Sequence, residues 1–93
     1  MIKVKFFTLL RLALGLEEVS IEAERIDVKS LLIEVCKKIG NEIILKKLLD
    51  EDGNMQTGTI ILINGHDIIH MDKLDTIIES NDSVSLFTPG GGG

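Results

Sequence analysis

The sequence predicts a single α+β domain, a sheet of about five strands with one main helix and a short second helix on one face. Three observations carry this. Strand-period alternation opens the chain, helical spacing runs between Asp27 and Gly40, and the second half holds a β-branched run, an Asn64-Gly65 turn and a last alternating segment. At 93 residues the chain fits one small domain, because domains use on the order of 100–200 residues each. A catalytic cleft between two domains is excluded.

In Met1–Phe7, Ile2, Val4 and Phe6 fall on one strand face and Lys3, Lys5 and Phe7 on the other. The stretch Leu9–Leu14 connects this strand to a second one, its conformation not fixed by the sequence, with a turn at Gly15. Val19, Ile21 and Ala23 then alternate with Glu18, Ser20 and Glu22, so the opening reads as a hairpin with a long apolar loop. Asp27 stands at an N-cap, where a carboxylate accepts from free N–H groups of the first turn. Val28, Leu31, Leu32, Val35, Cys36 and Ile39 follow at spacings of three and four, the stripe of an amphipathic helix. Gly40 ends it, since a residue without Cβ takes the left-handed C′ conformation at little cost, and Lys37-Lys38 complement the negative end of the helix dipole.

A shorter helix follows over Glu42–Leu49, and Asp52-Gly53 turns the chain. Ile60-Ile61-Leu62-Ile63 reads as a strand buried on both faces. Asn64-Gly65 signals a type I′ hairpin, with a short return strand at Asp67–Ile69. An irregular stretch through Asp72, Asp75 and Asn81-Asp82 leads to a last strand, Ser83–Phe87, with Val84 and Leu86 inward and Ser83, Ser85 and Phe87 outward. The expected division is a domain over residues 1–88 and a flexible Gly-rich tail over 89–93.

Composition narrows the function. The net charge is −5, with 10 basic residues scattered singly or in pairs and no Trp or Tyr. A nucleic-acid binder concentrates Lys and Arg on one face and adds stacking aromatics, so no nucleic acid is expected as a partner. An acidic chain more often steers toward a basic surface. One cysteine excludes an internal disulfide and a Cys-based zinc cluster, which fits a reducing, cytoplasmic compartment. No run approaches a membrane span, so no membrane association is expected.

The glycine run at 90–93 is the only low-complexity segment. One reading is a frayed terminus without a role. The other starts from sterics: a diglycine end threads a tunnel too narrow for other residues and carries the Gly93 carboxylate into a buried site. Four to five extended residues reach about 13–18 Å. Pro89 cannot extend the ladder and projects the glycines from the body.

Val4-Lys5-Phe6-Phe7 with Leu10-Arg11 and Gly15, Ile61-Leu62-Ile63-Asn64-Gly65, Asp75-Thr76, Asn81–Phe87, Pro89 and Gly92-Gly93 occur in an order that, taken together, is specific. By these the chain resembles the ubiquitin-like β-grasp sulfur carriers, above all the molybdopterin synthase small subunit, with the thiamine-pathway carrier as a near relative. The resemblance runs nearly the whole length. It implies a mixed β-grasp sheet and a carrier that is not itself an enzyme, with Gly93 as the working residue behind Gly90, Gly91 and Gly92. A ubiquitin-activating-like adenylyltransferase would use ATP to adenylate the Gly93 carboxylate, making a leaving group of it. A sulfur donor would then form a thiocarboxylate for delivery inside a larger molybdopterin synthase subunit, where the catalytic residues are expected. No cofactor is expected to be bound by the carrier.

Partner binding is placed on Phe7 and Phe87, which share the outer sheet face if the first and last strands are neighbours. The alternative is that Leu9–Leu14 folds over both rings as a satellite core. Arg11 is either an ion-pair partner for a docked carboxylate or a plain surface residue. The tail departs from the family pattern of two prolines, two variable residues and Gly-Gly: Thr88 stands at the first proline and Gly90-Gly91 at the variable pair. Such a tail also suits a ubiquitin-like modifier attached through its terminal glycine to protein lysines, a thiamine or tungsten-pterin carrier, or an adaptor with incidental glycines. His66 and His70 share a face without a third ligand, so no metal site is expected. Cys36 lies on the apolar helix stripe as a structural thiol.

Overall fold

The computed structural model describes residues 1–89, and the Gly90–Gly93 tail lies outside the described residues. The elements run β1 (Ile2–Phe6), α1 (Thr8–Leu14), β2 (Glu18–Ile21), β3 (Arg25–Asp27), α2 (Val28–Ile39), α3 (Ile43–Leu48), β4 (Ile60–Ile63), β5 (His66–Asp67), β6 (Ile77–Glu79) and β7 (Ser83–Phe87), with 3₁₀ turns at Ile68–His70 and Lys73–Asp75. The main sheet is five-stranded in the order β2-β1-β7-β4-β5. β1 and β7 pair in parallel at its centre and the other neighbours are antiparallel, so the sheet is mixed. This is the ubiquitin-like β-grasp arrangement.

Alternation in the strands sets the core. Ile2, Val4 and Phe6 of β1, Ile61 and Ile63 of β4, and Val84 and Leu86 of β7 all face inward and are buried. α2 lays Val28, Leu31, Leu32, Val35 and Cys36 on them, and Ile44 and Leu48 of α3 close one side. Asp27 caps α2 as its position predicts, accepting a hydrogen bond from the Ser30 amide at 3.0 Å, and Gly40 ends the helix at φ 69°. That hydrogen bond holds the Asp27 carboxyl below its ordinary range.

Four elements differ from the sequence reading. The connection Leu9–Leu14 is not a loop but lies within α1, whose Leu10 is buried in the main core. The stretch between the 3₁₀ turns and β7 contains β6, which pairs with β3 in a separate two-stranded sheet. The return strand after Asn64-Gly65 is His66–Asp67 rather than Asp67–Ile69, because Ile68–His70 coils into a 3₁₀ turn capped by the Asp67 side chain on the Ile69 amide. Finally, β4 is buried on one face only: Ile60 is 42% exposed and Leu62 is half-buried. Among the described residues no helix is long and apolar enough to cross a membrane.

Candidate functional site

Parallel pairing brings the last residues of β1 and β7 to the same end of the sheet. Lys5 registers with Ser85 and Phe6 with Leu86, and the Phe7 amide donates to the Leu86 carbonyl at 3.2 Å. Phe7 is thereby set beside Phe87. Their rings stack with centroids 4.7 Å apart and planes 10° from parallel, within the range in which aromatic pairs gain beyond area burial. Both remain half-buried. Leu10 belongs to the main core.

The chain leaves this point sharply. Phe7 is the N-cap of α1 in extended conformation, and Thr8 takes φ 52°, a left-handed value uncommon for a β-branched residue. The Thr8 hydroxyl donates to the Phe7 carbonyl at 2.8 Å. This strained corner turns the backbone away from the sheet directly after Phe7 and lets the ring stay on Phe87.

Across β7, Ile60 registers with Phe87 and Leu62 with Ser85, so both point to the same outer face as the stacked rings. Phe7, Phe87, Ile60 and Leu62 make an apolar patch at the end of the sheet where Thr88 and Pro89 leave it. Ile60 and Leu62 were not among the residues the sequence singled out. The continuous apolar run suggested two-sided burial, although its outward half is the surface of interest.

Charged side chains rim the patch. Arg11 forms an ion pair with Glu17 of its own chain, beside a cleft that Lys5, Phe7 and Glu18 also line. Its charge is already matched internally, and at about half exposure such a pair contributes little, about 0–1 kcal/mol. Arg11 therefore frames the patch instead of offering an unpaired charge. Lys3 and Glu18 lie 3.9 Å apart further along the same face. Thr88 and Pro89 are half-buried and line a cleft with Leu9, Leu10 and Ala13 of α1, so the start of the tail lies against the helices. Gly90, Gly91, Gly92 and Gly93 lie outside the described residues.

The other singled-out residues are not brought to the patch. Cys36 is 5% exposed, and burial pushes its thiol up. A thiol held protonated in the core is not poised as a nucleophile. His66 and His70 are both exposed, one on β5 and the other ending a 3₁₀ turn. Among the described residues no three His, Cys, Asp or Glu side chains gather as a metal-holding group.

The far end of the same strands is polar. The Asn64 side chain donates to the Asp82 carboxylate and accepts from the Ser83 amide, both at 2.9 Å, while Asp82 also accepts from the Glu79 amide at 2.8 Å. Asn64 and Gly65 take φ 50° and 86°, as a type I′ turn requires. The Asn-Gly and Asn-Asp-Ser motifs thus clasp the sheet.

Comparison with known proteins agrees with this architecture. A 38% identical match over 45 residues links the chain to small archaeal modifier protein 3 of Haloferax volcanii, spanning 48% of this chain and about half, 49%, of that relative's length. A putative sulfur carrier protein of Archaeoglobus fulgidus is 29% identical over 76 residues, 82% of this chain and 84% of the relative. Among solved structures, a putative molybdopterin converting factor subunit 1 of Pyrococcus furiosus superposes with a TM-score of 0.67 at 27% identity, covering 96% of this chain and 97% of that one. Two of these relatives are named as a small modifier and a sulfur carrier. The ThiS family model matches residues 4–93, nearly the whole chain, and the protein belongs to the ThiS family.

Proposed function

We propose that this protein is a sulfur carrier whose Gly93 carboxylate is adenylated and then converted to a thiocarboxylate that donates sulfur in the making of molybdopterin, for a molybdenum or tungsten cofactor. The observation that carries the reading is the family match, which extends through Gly93. The apolar patch at the tail's point of departure supports it. A protein that accepts the tail must rest against whatever surrounds its base, and here that is Phe7, Phe87 and Ile60.

The chemistry needs little from the carrier. A carboxylate is a poor electrophile, and attack of its oxygen on the α-phosphorus of ATP, with loss of pyrophosphate, gives an acyl-adenylate with a good leaving group. A sulfur donor then displaces AMP. The adenylyltransferase supplies the ATP site, and the larger synthase subunit supplies the acid–base groups for transfer. The carrier contributes an unbranched end, a rigid body and a docking face.

A second reading is favoured by the match to the archaeal modifier: attachment of the Gly93 carbonyl to protein lysines through the same acyl-adenylate. Intact-mass analysis of protein from its native host separates the two. A free chain with one oxygen exchanged for sulfur at Gly93 is the expected result. Isopeptide conjugates without free thiocarboxylate would replace the carrier reading with the modifier one, and an unaltered carboxylate under all growth conditions would overturn both.

A further inference from the structure

α1 carries two apolar faces. Leu10 and Leu14 turn toward the core, while Leu9, Leu12 and Ala13, with Leu16 just beyond the helix, fall on the opposite side. Leu9 is 47% exposed, Leu12 78% and Leu16 40%. Leu9 and Ala13 line a cleft of about 470 Å³ whose other walls are Thr88 and Pro89, at the base of the tail, and Lys46 and Lys47 of α3. Both lysines are exposed. The Gln56 side chain donates to the Lys46 and Leu49 carbonyls at 3.0 and 2.9 Å, which fixes the end of α3 that presents them. In a chain of net charge −5, a lysine pair over an apolar cleft is a local reversal of sign.

We infer that the α1–α3 cleft is a second docking site, occupied by an acidic segment of the adenylating partner that places an apolar side chain between Leu9, Ala13 and Pro89 and carboxylates opposite Lys46 and Lys47. The inference rests on the sulfur-carrier reading. Its argument is continuity and charge. Four glycines extend about 13 Å at most, so a protein that closes over the tail's end also meets both sides of its base. One side is the sheet patch. The other is this cleft, and the complement of an apolar slot with a cationic rim is an apolar residue flanked by Asp or Glu. Lysines at the end of α3 also suit its dipole, but that does not account for the exposed Leu9 across the cleft from them.

The test uses the full chain and the purified adenylyltransferase from the same organism, with affinity measured at low and moderate salt and pyrophosphate exchange as the activity readout. The double variant Lys46→Glu, Lys47→Glu should bind about tenfold more weakly at low salt and lose most of the salt dependence. Leu9→Asp should weaken binding about fivefold, with an unchanged melting temperature showing that its exposed position tolerates the change. If Phe87→Ala weakens binding while the lysine variant keeps wild-type affinity and salt slope, the cleft proposal is overturned and the carrier reading stands. If the wild-type chain supports no pyrophosphate exchange, both fall.

Discussion

The two ends of the central β1–β7 pair are built from opposite chemistry. At one end the Asn64 side chain, the Asp82 carboxylate and the Ser83 amide hydrogen-bond across the turn, within the chain. At the other, Phe7 and Phe87 stack on each other, and Ile60 beside them is partly open to solvent. The first end closes the fold. The second leaves apolar surface unmatched beside the tail, the kind of surface that supports the docking reading.

That contrast predicts separable losses. Deleting Gly93 is expected to abolish sulfur transfer, read as thiocarboxylate formation with ATP and a sulfur donor, while the melting temperature stays at the wild-type value. Persisting transfer in the deletion, which still ends on a carboxylate at Gly92, would show that Gly93 itself is not required. Phe87→Ala should weaken binding to the adenylyltransferase about 10- to 30-fold, the scale of a buried aromatic anchor. The same substitution should cost about 0.5–1.5 kcal/mol of stability, the loss of its stacking on Phe7. At the clasped end the effects invert: Asn64→Ala should destabilise the domain by about 0.5–1.5 kcal/mol, since the Ser83 amide loses its partner and the Asp82 carboxylate one of its two. Thermal unfolding checks this, and partner affinity below the transition should be unchanged.

Asp27→Ala lies between the two ends and isolates a helix cap. It should cost about 1 kcal/mol near neutral pH. The carboxyl sits below its ordinary pKa because the Ser30 amide favours the charged form. Its contribution is therefore fully present above the unfolded-state carboxylate range, near pH 4, and fades as pH falls through the lower folded value. The difference between wild type and variant should narrow in acid, and a pH-independent difference would mean the cap acts without its charge. The smallest effect is expected from Arg11→Ala, whose ion pair with Glu17 is half exposed. A change within about 0.5 kcal/mol in denaturant unfolding fits.

Much of this was legible in the sequence where one face is buried and the other wet. β1, α2 and β7 show clean periods, and Asp27 and Gly40 mark the bounds of α2 chemically. α1 was not legible because Leu9, Leu10, Leu12, Ala13 and Leu14 are apolar on both sides of the helix and Phe7 offers no side-chain cap. β3 and β6 are three residues each, too short for a period, and form only because distant segments pair. The aromatic half of the site was visible as outward-facing Phe7 and Phe87. Its aliphatic half was hidden by its own character: Ile60 and Leu62 read as core because an apolar surface strip, in sequence, has the composition of a core.

The place of β7 in the sheet has a mechanical consequence. It lies between β1 and β4, and the tail continues from its C-terminal end. Traction on the glycines runs along the strand, so the load falls in shear on two hydrogen-bond ladders at once. An edge strand would bear the same load on one ladder. On the proposed carrier function, a partner that draws in the tail would meet a body that behaves as a rigid handle.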